Sequence, residues 1–117
     1  MNANVQAEYQ KKIVSVEAAA ASIQDNDRIL VATSSSQPRA LLRKLSERTY
    51  DLKNVQMVGS FFADDYEFLK NEAHGHINTL ISFMGVKSRE YFFKKRITEN
   101  IEVYSYDFSK TERVMEN

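Results

Sequence analysis

The sequence predicts an α/β fold, a single domain with a mainly parallel sheet of about four strands and helices on both faces. Four short apolar runs alternate with segments of helical character, and their spacing is typical of β-α-β units. The runs are apolar at both odd and even positions, which indicates strands that are covered on both faces. At 117 residues the chain is long enough to bury one core.

The first third of the chain is predicted to be helical up to the first strand. Residues 6–12 are polar and form either a helix or an extended arm. Ser15 is a suitable N-cap for an alanine-rich helix over residues 16–23, because its hydroxyl can accept a hydrogen bond from the first helical turn. The polar turn at residues 25–27 then leads into the first strand, residues 29–33.

The strongest candidate site follows this strand. Four small or polar residues, Ser34, Ser35, Ser36 and Gln37, connect it to Pro38, which begins a helix over residues 39–45. In a parallel sheet this order places backbone N–H groups at the carboxyl end of a strand, where phosphorylated and acylated ligands bind. We therefore predict that these five residues bind a ligand. The alternative is an ordinary loop in which Gln37 is the N-cap and Pro38 the first helical residue.

The remaining elements follow the same alternation. Pattern and turn residues predict a strand at 55–58 closed by Gly59, a helix at 65–71, a strand at 77–83, a helix at 88–97, a strand at 101–105 and a helical turn within 109–117. In the helix at 88–97, Tyr91, Phe92 and Phe93 are expected to pack against the sheet or against a subunit.

Composition and charge exclude several classes of function. Lys+Arg and Asp+Glu both number 16, so the formal net charge is zero, which argues against nucleic-acid binding as the main role. The chain has no cysteine, which excludes disulfides, thiolate metal sites and a cysteine nucleophile. No apolar run approaches the length of a membrane helix, and the first residues do not form a signal peptide. We expect a cytoplasmic protein that binds neither nucleic acid nor membrane.

Three further groups of polar residues have two interpretations each. Asp64, Asp65 and Glu67 are either a carboxylate cluster for a metal or for acid–base chemistry, or a helix start favoured by the helix dipole. His74 and His76 have a spacing found in some zinc sites, but no suitable third ligand lies nearby except Glu72, so we predict no metal site.

A basic cluster, Lys94-Lys95-Arg96, lies late in the predicted helix 88–97. Cations are favoured there by the helix dipole, and a solvated face is the simplest interpretation. Contact with a phosphate, either of a small ligand or of nucleic acid, is the alternative.

The order of these features resembles the N-terminal domain of the acetyl-CoA hydrolase/transferase family. This family is the branch of class I CoA-transferases that includes acetate and 4-hydroxybutyrate CoA-transferases. The similarity extends from Tyr9 to about Tyr104. Its matching segments are Tyr9-Gln10-Lys11-Lys12, Val14-Ser15, Asp27-Arg28-Ile29, the loop from Ser34 to Leu42, Leu52-Lys53-Asn54-Val55, His74-Gly75-His76 and Ser88-Arg89-Glu90.

The resemblance implies a function in moving CoA between an acyl-CoA and a carboxylate, or in acyl-CoA hydrolysis. In that family a catalytic glutamate in the C-terminal half forms the covalent acyl and CoA intermediates, and no position of this sequence corresponds to it. We therefore expect residues 1–117 to be the N-terminal domain with the C-terminal catalytic domain absent from this chain. The chain alone is then inactive and has no catalytic residue. Its substrate is a coenzyme A thioester or a small carboxylate, and no cofactor is tightly bound.

Two other functions remain open at this stage. The chain could be a non-enzymatic module or subunit that binds a small anion or metabolite with the same fold. It could also form a homodimer through the aromatic residues Tyr104, Tyr106 and Phe108, which follow the last strand.

Overall fold

The computed structural model describes residues 2–94 and 99–116, although the side chains of a few of them are left out. Its strands are β1 (Arg28–Leu30), β2 (Val55–Gly59), β3 (Ile77–Ile81) and β4 (Ile101–Val103). Its α-helices are α1 (Ala3–Lys12), α2 (Val16–Ala21), α3 (Arg39–Glu47), α4 (Val86–Arg89) and α5 (Thr111–Glu116). None of the described helices is both long enough and apolar enough to cross a bilayer.

The strands form one sheet in the order β1-β2-β3-β4, and every neighbouring pair is parallel. The register places Ile29 beside Met57, Met57 beside Thr79 and Thr79 beside Ile101. The central pair β2–β3 is the longest, with five residues aligned from each strand. The predicted parallel α/β sheet is therefore confirmed.

All three connections between strands pack on one face of the sheet. Parallel crossovers are almost always right-handed, so a sheet whose order follows the sequence places its connections on the same side. The hydrophobic core confirms this, because it unites residues of alternate strand positions with residues of α3 and of the turn after β2. The largest members with less than 2% exposure are Phe68, Leu45, Leu52, Met57, Leu69, Ile77, Ile81 and Val55.

The opposite face of the sheet is covered only in part by the described residues. Leu30 is 55% exposed there, whereas Val58 in the next strand is buried. The C-terminal segment approaches this face, because Arg28 Nη1 donates to the carbonyl of Met115 at 2.6 Å and Arg28 Nε donates to Gln56 Oε1 at 3.1 Å. Helices thus lie on both faces of the sheet, as predicted, but the face approached by the C-terminal segment is covered by far fewer residues. We call this second surface the open face.

The local signals at the start of the chain are confirmed. α2 begins after Ser15, whose Oγ accepts a hydrogen bond from the backbone N–H of Ala18 at 3.1 Å. The turns before β1 and β2 are joined by a hydrogen bond from Asn54 Nδ2 to Asn26 Oδ1 of 2.8 Å. Both asparagines have positive φ angles, which asparagine tolerates better than most residues.

Several predicted elements differ in the structure. The strands predicted at 77–83 and 101–105 end at Ile81 and Val103, and the helix predicted at 88–97 begins at Val86. The strand predicted at 29–33 ends at Leu30, because Ala32 and Thr33 are exposed where the chain leaves the sheet. The helix predicted at 65–71 is wrong; two 3-10 turns, Glu67–Leu69 and Asn71–Ala73, take its place. The backbone N–H of Glu67, at the start of the first turn, donates to Ser46 Oγ at 2.7 Å.

The aromatic run after α4 is divided between core and solvent. The backbone continues α4 as a π-type turn, Glu90–Lys94, in which Phe92 packs against the core. Phe93 is 75% exposed, so the expectation that it packs against the sheet is wrong. The side chain of Tyr91 and residues 95–98, including Lys95 and Arg96, lie outside the described residues.

A comparison of buried Phe68 with exposed Phe93 gives a test of the hydrophobic core. Phe68 is fully buried, stacks on Tyr66 with ring centroids 4.9 Å apart and meets Phe62 edge to face at 5.5 Å. Replacing Phe68 by alanine should lower the free energy of unfolding by about 3–5 kcal/mol, because the lost contacts leave a cavity. The same change at exposed Phe93 should alter it by less than about 0.5 kcal/mol. Urea unfolding followed by circular dichroism measures both; equal losses would contradict this core.

Candidate functional site

The carboxyl ends of the four parallel strands lie along one edge of the sheet, and the predicted loop lies at this edge. A shallow cavity of about 330 Å³ lies between the ends of β1 and β2. It is lined by Leu30, Val31, Ala32, Thr33, Gly59, Ser60 and Tyr106. Tyr106 comes from the segment after β4, so this segment returns across the sheet toward β1. We call this region the carboxyl edge.

The loop at the carboxyl edge is compact. Ser34–Ser36 form a 3-10 turn, in which the backbone N–H of Ser36 donates to the carbonyl of Thr33 at 3.0 Å. Helix α3 begins at Arg39, so Pro38 occupies the N-cap position and offers no side-chain hydrogen bond to the helix. The alternative with Gln37 as N-cap and Pro38 as first helical residue is therefore wrong by one position. The backbone N–H of Arg39 instead donates to the carbonyl of Gln37 at 2.9 Å, which forms a tight turn at Pro38.

The first turn of α3 consequently presents backbone donors without a side-chain cap. The first N–H groups of any helix have no carbonyl partner within the helix. That of Leu42 is satisfied by the carbonyl of Pro38 at 2.9 Å. The N–H groups of Ala40 and Leu41 lie in the same uncapped turn, where the helix dipole favours an anion.

Gln37 is the one predicted ligand residue that the structure buries among those whose side chains it describes. Its side chain is 7% exposed, and its Nε2 donates to the backbone carbonyl of Phe61 after β2. Its Oε1 is buried and has no hydrogen-bond partner among the described residues. Gln37 thus connects the loop after β1 to the loop after β2. No local pattern identifies Phe61 as its partner, because the two residues are 24 positions apart.

The other predicted ligand residues lie on the surface of the same edge. Ser35, Ser36 and Pro38 are exposed, and the side chain of Ser34 lies outside the described residues. The hydroxyl groups of Ser35 and Ser36 are therefore on the surface of the loop, whereas the buried side chain of Gln37 fixes the loop to the Phe61 carbonyl. That these five residues bind a ligand stays a prediction.

The acidic cluster at residues 64–67 is divided between two sets of basic and phenolic partners. Asp64 lies 3.7 Å from Arg39 Nε and 3.7 Å from Arg43 Nη2, so two cations of α3 neutralise one carboxylate. Glu67 accepts from Tyr50 Oη at 2.8 Å and from Lys70 Nζ at 2.7 Å. Asp64 and Glu67 therefore do not form a paired acid–base site.

Glu67 changes the acidity of its neighbours. The hydrogen bond to its carboxylate raises the pKa of Tyr50 from 10.0 to about 12, since the bond favours the neutral phenol. Lys70, followed by Tyr50, lowers the pKa of Glu67, because both donate to the charged carboxylate. Tyr50 is half exposed, so this network belongs to the surface of the domain.

The two histidines have separate environments. His76 Nδ1 lies 2.7 Å from the carbonyl of Leu52, and its ring meets Tyr50 edge to face at 5.5 Å. Because a carbonyl oxygen only accepts, Nδ1 is the protonated nitrogen in this contact. His74 is exposed. Among the described residues, no group of three or more histidine, aspartate or glutamate side chains is arranged to hold a metal ion.

An all-parallel sheet with its loops and helix N-termini at one edge defines the class of α/β domains whose ligands bind at strand ends. The family model of the acetyl-CoA hydrolase/transferase N-terminal domain matches residues 1–103. The chain therefore belongs to this family. None of the curated proteins compared with the sequence gives a significant match.

Solved structures share the fold. RipA from Yersinia pestis superposes with a TM-score of 0.72 at 19% sequence identity. Two mutants of RipA give TM-scores of 0.76 and 0.74, also at 19% identity. In each case the match covers 94% of this chain and 27% of the other, so this chain spans about a quarter of the length of these relatives.

The role of Gln37 as a connector gives a stability test. Replacing Gln37 by alanine should lower the free energy of unfolding by about 1–3 kcal/mol, because the Phe61 carbonyl loses a buried donor. The same substitution at Gln10, which is exposed on α1, should change it by less than about 0.5 kcal/mol. Urea midpoints of the two variants check this. Equal midpoints would show that Gln37 does not anchor the loop.

The Tyr50–Glu67 contact gives a test by titration. The raised pKa of Tyr50 means that the folded protein holds the phenol proton more tightly than the unfolded chain does. The contribution of this proton to the stability of the fold is therefore present below pH 10.0 and is lost as pH rises through about 12. Conversely, the lowered pKa of Glu67 means that its carboxylate stabilises the fold at pH values above the ordinary pKa of a glutamate. This contribution is lost as pH falls through the lowered pKa. In Glu67→Gln the pKa of Tyr50 should fall toward 10.0, measured by tyrosinate absorbance. Glu17→Gln, whose carboxylate is not among the groups acting on Tyr50, is the control; equal titration curves would contradict the contact.

Proposed function

We propose that this chain is the N-terminal domain of an acyl-CoA transferase or hydrolase that moves CoA between an acyl-CoA and a carboxylate. Membership of the family over residues 1–103 supports this. The chain contributes one wall of the acyl site, and a C-terminal domain or subunit contributes the catalytic glutamate. The absence of cysteine supports a reducing, cytoplasmic location in which acyl-CoA metabolism takes place.

The uncapped start of α3 is the observation that best supports a role for the carboxyl edge. Pro38 offers no side-chain cap to the first backbone N–H groups of this helix, and Ser35 and Ser36 are exposed on the adjoining surface. These donors suit a carboxylate, a phosphate or the oxygen of a thioester. Two arginines against one aspartate at the same helix leave a net positive charge, which favours an anionic substrate.

Asp64, an acidic residue beside α3, is engaged in ion pairs. Its carboxylate lies 3.7 Å from Arg39 Nε and 3.7 Å from Arg43 Nη2, and we do not propose it as the nucleophile. The resemblance to class I CoA-transferases assigns the nucleophile to a glutamate of the C-terminal half. The residues of this chain then orient the acyl group and exclude water, while coenzyme A is a substrate and no resident cofactor is needed.

The first test is thioester exchange. The purified chain, incubated with acetyl-CoA and labelled acetate, should give no transfer of label above the uncatalysed rate, because it has no nucleophile for the acyl group. Adding the C-terminal catalytic domain of a transferase of this family as a separate polypeptide should raise the exchange rate above that of the domain alone. Exchange by the chain alone would refute the proposal.

Calorimetry separates this proposal from the alternative, a non-enzymatic module that binds a small anion or metabolite. Titration of the chain with coenzyme A and with acetate should show heat for coenzyme A, because a transferase half must contact the thioester arm. Heat for acetate alone would instead favour the small-anion module, and the same titration of the catalytic domain serves as the reference.

A further inference from the structure

Helix α1 is a well-defined element that is not packed into the domain. It begins after Asn2, whose Oδ1 accepts from the backbone N–H of Asn4 at 3.0 Å, and it ends where Ile13 becomes extended. None of its ten residues is buried. Isolated helices shorter than about 12–15 residues are only marginally stable in water. α1 therefore lacks the packing that normally holds a helix of this length.

One side of α1 is apolar. Val5 and Tyr9 are four positions apart and share one face of the helix, and Ile13 follows directly after its last residue; the three are 55%, 56% and 52% exposed. Glu8 and Lys12 flank this face and pair with each other at 3.6 Å, so the two charges cancel. We call Val5, Tyr9 and Ile13 the α1 stripe. Such a stripe is typical of a helix that lies in an apolar groove of a partner.

We propose that the α1 stripe is the docking ridge by which this chain holds the C-terminal catalytic domain. This inference rests on the proposed function, which requires such a domain, and adds a contact surface separate from the carboxyl edge. An exposed tyrosine and an aliphatic side chain on one helix, with a second aliphatic side chain directly after it, supply the apolar anchor that a stable contact needs.

The match to RipA supports this choice of partner. The matched part covers 94% of this chain, and the unmatched 6% of 117 residues is about seven residues, fewer than the ten of α1. At least part of α1 therefore belongs to the shared fold. Nearly three quarters of the RipA chain lies outside the match, which covers 27% of it, so a large body of protein is available to cover this helix.

Charge argues against a second copy of this chain as the partner that covers the α1 stripe. The apolar groove that a second copy could offer is on the open face, has a volume of about 450 Å³ and is flanked by Arg28, Lys110 and Arg113. α1 ends in Lys11, which would approach these cations and be repelled, whereas Lys12 is paired with Glu8. The carboxylates described at that groove are Glu102, which lines it, and Asp107, which pairs with Lys110 at 3.7 Å, so the three cations outnumber them.

A pair of matched variants tests the proposal. Val5→Asp with Tyr9→Asp places two carboxylates on the stripe, whereas Ala3→Asp with Ala7→Asp places the same two charges, at the same spacing, on the opposite side of α1. Each variant is titrated by calorimetry with the C-terminal catalytic domain of a transferase of this family. The stripe variant should bind at least roughly tenfold more weakly than the wild type, and the control should change the dissociation constant less than about threefold. Hydrogen exchange should show α1 amides that are protected only in the complex.

The outcomes are distinguishable from failure of the proposed function. If the catalytic domain restores exchange and the stripe variant binds it as tightly as the wild type, the docking proposal is overturned while the proposed function stands. If the wild-type chain neither binds that domain nor raises its exchange rate, both proposals fail. If sedimentation shows a wild-type dimer that the stripe variant dissociates, the occupant is a second copy and the docking proposal is wrong.

Discussion

The parallel pairing of β2 with β3 is the contact on which the other features of this domain depend. Because β1 and β4 add outside this pair in sequence order, each right-handed crossover returns on the same face of the sheet. α3, the turns after β2 and the segment after β3 therefore share one core. The same order brings the loop after β1 and the loop after β2 together at the carboxyl edge, where Gln37 joins them through the Phe61 carbonyl.

This one-sided arrangement has a direct cost. The connections bury one face of the sheet, whereas the open face relies on the segment after β4 and leaves Leu30 and Tyr104 more than half exposed. Tyr104 and Tyr106 stack on each other at 6.0 Å, which covers only part of their apolar surface. Together with the α1 stripe, these surfaces suit a domain that forms part of a larger protein. A homodimer through the residues after β4 stays a prediction, since the side chain of Phe108 lies outside the described residues.

Local signals predicted the features that depend on neighbouring residues. The cap at Ser15 followed from its own hydroxyl and the alanine run, and the loop at residues 34–38 followed from the order of strand, small residues and proline. Features that depend on distant partners were missed. Gln37 is buried where its Nε2 donates to the Phe61 carbonyl. Two 3-10 turns replace the helix predicted at 65–71, and there the N–H of Glu67 donates to the distant Ser46. That Asp64 pairs with an arginine of α3 while Glu67 accepts from Tyr50 likewise could not be predicted without the fold, because these partners are distant in sequence.

In the proposed function, the carboxyl edge forms one wall of an acyl site that a second domain completes. A crystal structure of this chain bound to the catalytic domain, with an acyl-CoA analogue present, is the decisive test. We expect the acyl group to lie against Ser35, Ser36 and the first turn of α3, with the glutamate of the other domain on its opposite side. A complex in which the acyl group contacts no residue of this edge, while the loop faces solvent, would refute this role of the carboxyl edge.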